Sequence, residues 1–404
     1  MSPSIASRPL LGMTSDLGRV MAAAKAREAA GQPVIHLERG EPDFDTPPHI
    51  VEALGAAARA GETHYPDARG SIGLRDALVQ KLARENGIAC HPDDVVATLG
   101  GTHALFIAFQ ALLAPGDELL VLSPFWMAIP KLVAFVDGAT MRSTPGVLEI
   151  MNGTWSPAEF GVRLREALSP KTRAIYLNTP NNPTGCVLGR EYLEALAKVA
   201  IERDLWVVSD EAYEHLLYDG ATHVSPASLP GMAERTVTAY TFSKSYAMTG
   251  WRVGYVVSPP SLRAAIGPIL TFYTTHGVFP SVQSAAMTAV TSSQACVEIM
   301  RAAYDERRGL MLAGLAGQGA ITVPSPKGAF YVFANVAKAR GERDLWAMVE
   351  EWLSWGVAVL PGTAFGAEYS DWVRMSLATR ADRVTSAAKT LREHYATASA
   401  GARG

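Results

Sequence analysis

Short apolar runs recur along the first two thirds of the chain: VVATL (95–99), ELLVLS (118–123), RAIYLN (173–178), LWVVS (205–209), TVTAYTF (236–242) and RVGYVV (252–257). They carry apolar residues at successive positions rather than at every second one, the pattern of strands covered on both faces. Between several of them lie amphipathic stretches such as REYLEALAKVAIERD (190–204), whose apolar residues return every three or four positions and predict helices. Buried strands alternating with helices predict an α/β fold, with a mostly parallel sheet between helices spanning residues 46–285. The remainder reads differently. A long helical stretch (292–317) is followed by AFYVFANV (329–336), GVAVLPG (356–362) and VRMSLA (373–378), which predict a smaller α+β domain from residues 286–404 together with 1–45. The closing ATASAGARG (396–404) is small and polar, and no regular structure is expected there.

Composition narrows the class of protein. At 404 residues, 48% hydrophobic and 19% charged, the chain can bury two cores. Its net charge of −3, with both signs interspersed, lacks the basic footprint that nucleic acid or an anionic membrane demands. The longest apolar stretch, ALFIAFQALLA (104–114), is too short to cross a bilayer. Cys90, Cys186 and Cys296 show no CxxC spacing, and no secretion signal opens the chain, so a cytoplasmic protein is expected. The histidines form no HExxH or paired-ligand spacing, and no metal is expected.

The chemistry gathers at the carboxyl ends of the predicted strands, where open α/β sheets bind ligands. GGT (100–102) stands between VVATL and a helix; NNPTG (181–185) follows RAIYLN; Asp210 closes LWVVSD; Lys244 follows TVTAYTF. Taken singly, these are a turn, a second turn, a helix cap and a surface lysine. Together they bring free backbone N–H groups, an asparagine, a carboxylate and an amine to one edge. The absence of GxGxxG and GxxxxGK[ST] argues against dinucleotides and nucleoside triphosphates.

The motifs GEPDFDTP (40–47), HYPDARGSIGLRDAL (64–78), GGTHAL (100–105), SPFW (123–126), NNPTG, SDEAYEHLLYDG (209–220), FSKSYAMTGWRVGY (242–255), KGAFYVF (327–333) and VRMSLA occur in this order. In them the chain resembles the class I, fold-type I aminotransferases that use pyridoxal 5′-phosphate, and among these the bacterial aspartate aminotransferase-like branch. The resemblance implies that Lys244 bonds covalently to the cofactor and then shuttles the substrate proton, and that Asp210 pairs with the ring nitrogen. It implies that Tyr213 and Asn182 meet the ring's phenolic oxygen and that Trp126 stacks on the ring. Gly101, Thr102, Thr241, Ser243 and Arg252 would hold the phosphate. Arg374 would grip the substrate α-carboxylate, with Gly40 beside it, and Tyr65 would reach the phosphate of a neighbouring subunit. A homodimer with shared sites, acting on amino acids and 2-oxo acids by a ping-pong cycle, is the expectation.

Two departures bear on substrate. Thr102 stands where the aspartate-specific branch commonly carries lysine, and Val278 and Phe279 occupy a loop, often small and polar in relatives, that would reach the other subunit's site. Both favour neutral or aromatic substrates over strict aspartate specificity, with His103 and His276 as further polar contacts. A lyase acting at carbon–sulfur bonds, a decarboxylase or an oxidase on the same cofactor is the alternative, and a regulator with an added DNA-binding module is a third class.

Overall fold

The computed structural model describes residues 15–274, 276–317 and 319–401. After an opening helix, Asp16–Ala29, comes a two-residue strand, β1 (Ile35–His36). The next seven strands, β2 (Val95–Thr98), β3 (Glu118–Ser123), β4 (Thr140–Pro145), β5 (Thr172–Asn178), β6 (Trp206–Asp210), β7 (Thr236–Thr241) and β8 (Gly254–Val257), form one sheet in the order β2-β8-β7-β6-β5-β3-β4. Neighbours from β4 through β7 are parallel, and β8 runs antiparallel to both β7 and β2. Six of these strands fall on the predicted runs. The seventh, β4, reads TMRSTP, pairs only with β3 at the sheet edge and is largely exposed, so it carries no hydrophobic signal.

Alternate residues of the central strands enter separate cores. Leu119, Val121, Tyr176 and Val208 pack with Phe109 on one face, while Leu120, Leu122, Ile175, Leu177 and Val207 pack with Leu193 and Leu196 on the other. Both sets are almost fully buried, each large side chain contributing about 1.5–3 kcal/mol, which is why the strands read as continuous apolar runs.

The C-terminal part adds β9 (Tyr331–Asn335), β10 (Val357–Ala358), β11 (Leu360–Pro361) and β12 (Trp372–Ser376). Strands β11-β12-β9 form an antiparallel sheet, and β10 pairs in parallel with β1, so residues 35–36 join this unit. The long helix Ala295–Leu315 packs along the last helix, Ala381–Gly401. That last helix runs into the segment expected to lack structure, while residues 1–14 and 402–404 lie outside the described residues. The expected boundary at residue 285 falls within the helix Pro280–Thr291, which packs on Pro48–Arg59 and Ile72–Lys81. We propose that the large domain ends after this helix.

The topology fixes where chemistry can occur. Thr98 at the end of β2 and Thr241 at the end of β7 both stand opposite Gly254, the first residue of the antiparallel β8. Arg252, just before β8, therefore reaches the same sheet edge as Asp210 and Lys244.

Candidate active site

At the end of β7 the Thr241 hydroxyl accepts from the Ser243 N–H at 3.2 Å and caps the short turn Phe242–Ser245. The turn projects Lys244 into a cavity of about 470 Å³ at the carboxyl edge of the sheet. The Lys244 ammonium donates to the Gly40 carbonyl at 2.6 Å. Desolvation, reinforced by the positive charges of Arg374 and Arg252, pulls its pKa down to about 8. An amine in that range is available as a nucleophile near neutral pH.

Asp210, 7% exposed at the end of β6, accepts from the Tyr176 hydroxyl at 2.9 Å and from the Ala212 N–H at 3.3 Å. Burial raises its carboxyl to about 6 despite those bonds. A carboxylate lining a cavity with a phenol and one amide as its partners is suited to receive a cation from a ligand.

A set of hydrogen-bond donors suited to an anion lies alongside. Gly100, at φ 92°, caps the helix Gly101–Leu112, and a Cβ there would come within 2.9 Å of Arg252 Nη2. The first N–H groups of this helix, at Gly101 and Thr102, have no intrahelical acceptor and line the cavity. The Arg252 guanidinium donates to the carbonyls of Thr249 at 2.7 Å and Leu99 at 3.1 Å, which aims it from a backbone held at φ 53°. The Thr241 and Ser243 hydroxyls, 3.0 Å apart, complete the cradle, and Trp126 forms part of the wall.

The second arginine comes from the other unit. Arg374, on β12 and 3% exposed, donates to Asn182 Oδ1 at 3.1 Å and to the Glu38 carbonyl at 2.6 Å, and its guanidinium lies 4.4 Å from the Tyr331 ring centroid. Its Nε is buried and has no partner among the described residues. Tyr331 also brings its hydroxyl to 3.0 Å from that of Tyr213. A Cβ on Gly40 would sit 2.5 Å from the same hydroxyl, so close approach of Tyr331 requires glycine there. Asn182 thus faces Arg374, and Tyr213 faces Tyr331.

Twelve of the thirteen residues that the resemblance places at the cofactor, the reaction or the substrate carboxylate line this one cavity: Gly40, Gly101, Thr102, Trp126, Asn182, Asp210, Tyr213, Thr241, Ser243, Lys244, Arg252 and Arg374. Tyr65 does not; it is 83% exposed and lies against His276, with ring centroids 4.0 Å apart and the planes tilted by 33°. Val278 is buried in the core beneath the helix Pro280–Thr291, and Phe279 is exposed outside the cavity, so neither makes an apolar wall within the chain. That wall comes from Leu17, Met21, Leu105 and Met127. His103 accepts from the Leu99 N–H at 3.0 Å, burial lowers its pKa to about 4, and it lies off the cavity. The sequence reading missed Tyr331, although it lies within KGAFYVF, and also Tyr176, Arg39 and Glu41.

The comparisons with known proteins agree with this geometry. A family model described as aminotransferase class I and II matches residues 32–391. The chain is 42% identical over 372 residues to an aspartate/prephenate aminotransferase of Thermus thermophilus, covering 90% of this chain and 92% of that protein. It is 38% identical to an arginine–pyruvate transaminase of Pseudomonas aeruginosa, covering 91% of each. The solved aspartate aminotransferase of Thermus thermophilus with maleate superposes at a TM-score of 0.89 and 38% identity, over 97% of this chain and all of that one. An aromatic aminotransferase of Pyrococcus horikoshii superposes at 0.85 and 35% identity, over 93% and 99%. The cavity suits pyridoxal 5′-phosphate on its own chemistry, since it combines an amine, a carboxylate wanting a cation and a helix N-terminus beside an arginine. The chain belongs to aminotransferase class I and II, and it is a pyridoxal 5′-phosphate-dependent aminotransferase of fold type I.

Proposed function

We propose that Lys244, Asp210, Arg252 and Arg374 divide the work of amino-group transfer as their positions around one cavity suggest; that convergence is the observation carrying the reading. Bound there, pyridoxal 5′-phosphate supplies an aldehyde that exchanges for the substrate amino group and a ring that takes up electrons. Lys244 would hold the cofactor, and its amine, once substrate has freed it, would carry the proton from the substrate Cα to the carbon that bore the cofactor's aldehyde, leaving the amino group on the cofactor. Asp210 keeps a proton on the ring nitrogen. Arg252, the Gly101 and Thr102 amides and the Thr241 and Ser243 hydroxyls bind the phosphate, a task suited to a planar guanidinium and a helix N-terminus. Arg374 meets the α-carboxylate with two N–H groups, Asn182 orients that guanidinium, Tyr213 donates toward the ring oxygen with Tyr331 behind it, and Trp126 covers the ring.

Donor and acceptor use this cavity in turn, so one side-chain subsite serves both. Its walls, built from Leu17, Met21, Leu105, Trp126 and Met127, suit neutral and aromatic side chains. The names of the relatives from Thermus and Pyrococcus, aspartate/prephenate and aromatic aminotransferase, fit a site that accepts rings. Elimination, decarboxylation and oxidation are not favoured beside such relatives. The exposed Tyr65 supports a homodimer in which this ring completes the neighbour's phosphate site. Borohydride reduction of the holoenzyme followed by peptide mapping tests the assignment: the reduced adduct is expected on Lys244, and an adduct on any other lysine overturns it. Light scattering of the eluting holoenzyme is expected to give twice the chain mass.

A further inference from the structure

Four cationic side chains line the cavity, and three of them are committed. Lys244 is bonded to Gly40, Arg252 to Thr249 and Leu99, and Arg374 to Asn182 and Glu38. Arg39 is the fourth. Its Nε donates to the buried Glu38 carboxylate at 3.3 Å, but its side chain is 50% exposed and, among the described residues, neither terminal nitrogen makes a hydrogen bond.

The backbone places it between the two reacting ends of the site. The Glu38 carbonyl, just before Arg39, accepts from Arg374, and the Gly40 carbonyl, just after it, accepts from Lys244, both at 2.6 Å. Arg39 thus stands in the chain between the residue that holds Arg374 and the residue that holds Lys244, and its side chain lines the same cavity. Thr102 brings no charge to the cavity, and Glu41, two positions after Arg39, accepts from the Thr249 hydroxyl at 2.5 Å.

We propose that Arg39 is a specificity-determining residue: its guanidinium receives the distal carboxylate of a short dicarboxylic substrate, amino acid or 2-oxo acid, whose α-carboxylate is held by Arg374. This rests on the amino-transfer reading above and extends it. The apolar wall takes neutral and aromatic side chains, and Arg39, free at its terminal nitrogens and on a flexible stem, adds an acidic class within the same cavity. Two substrates of unlike side chain can then alternate in one ping-pong site. An arginine is suited to this because its fork meets both carboxylate oxygens and stays charged at every working pH.

The test compares native holoenzyme with Arg39→Gln and Arg39→Lys, using aspartate and phenylalanine as donors with a common 2-oxo acid. The ratio of kcat/KM for aspartate to that for phenylalanine is expected to fall roughly 10- to 100-fold in Arg39→Gln, the loss of one charge-assisted pair, chiefly through KM, with partial recovery in Arg39→Lys. Calorimetric titration with succinate and with 3-phenylpropionate, neither of which reacts, should show the same selective loss for succinate. An unchanged ratio in both measurements overturns the proposal, whether the two donors are unaffected or fall together. Failure of native holoenzyme to transfer an amino group from either donor would overturn the underlying reading instead.

Discussion

Two lysines sit on opposite sides of the turn Phe242–Ser245, and the protein treats them in opposite ways. Behind the turn, Lys81 is 2% exposed and enclosed by charge partners. Its ammonium donates to Glu214 at 2.5 Å and Asn86 at 2.9 Å, Asn86 closes the triangle to Glu214 at 2.7 Å, and the Tyr240 ring lies below at 4.9 Å. Burial alone would raise Glu214, yet Lys81 and neighbouring histidines hold it down to about 2. Glu85, His215 and Ser245 extend the network, at 3.1 and 2.9 Å. Nearby, Glu211 accepts from Ser209, Ser225 and Tyr240 and pairs with His223, so its lone pairs are occupied by the fold. In front of the turn, Lys244 has one carbonyl as partner and a pKa drawn down to about 8. A buried lysine given a carboxylate is structural, and one denied it becomes a reagent.

The sharpest way to break this contrast is to delete each amine. Lys244→Ala is expected to lower turnover more than about 10³-fold while unfolding in denaturant at a nearly unchanged midpoint. Lys81→Ala should do the reverse, costing about 3–5 kcal/mol of stability because Glu214 is left buried and unpaired, while kcat per folded site stays near native. Equal losses of stability in the two variants would erase the distinction. Asp210→Asn, which keeps the shape and removes the charge, should retain cofactor and lose about 10²- to 10⁴-fold in kcat.

A pH profile sharpens the same point. Only the neutral amine of Lys244 carries a lone pair, and below a pKa of about 8 the protonated form dominates. Capture of added cofactor by the apoprotein, followed by absorbance, should therefore quicken about tenfold between roughly pH 7 and 9 and then level off. A rate flat across that range would mean that the amine is already free at neutral pH. The smallest effect expected is for Tyr331→Phe, which removes one hydroxyl bond behind Tyr213 and should slow turnover about two- to tenfold.

The two sides of the cavity differ in how far the sequence reveals them. The side proposed for the phosphate is assembled from the ends of neighbouring strands, and GGT, TFSK and WR each lie beside an apolar run that marks its place. The substrate side is assembled across the fold. Arg374 meets Asn182 and Glu38 from 192 and 336 positions away, and Tyr331 meets Tyr213 from 118. Periodicity holds no record of such contacts, which is why Arg374 was found through its motif and Tyr331, Tyr176 and Arg39 were missed. Strand β4 escaped for a different reason: a polar edge strand is fixed by backbone pairing to β3 rather than by burial. Val278 misled because an apolar residue in a loop can face a core as readily as a cavity.

The most direct test of the account is the absorption spectrum of the holoenzyme before and after one addition of an amino acid, with no 2-oxo acid present. The account predicts that the band of the lysine-linked cofactor gives way to that of its amine form, that one 2-oxo acid is released per site, and that Lys244→Ala shows no such exchange. Release of ammonia with the cofactor band restored and no amine form retained would contradict it, because the amino group would then have left the substrate without ever being transferred.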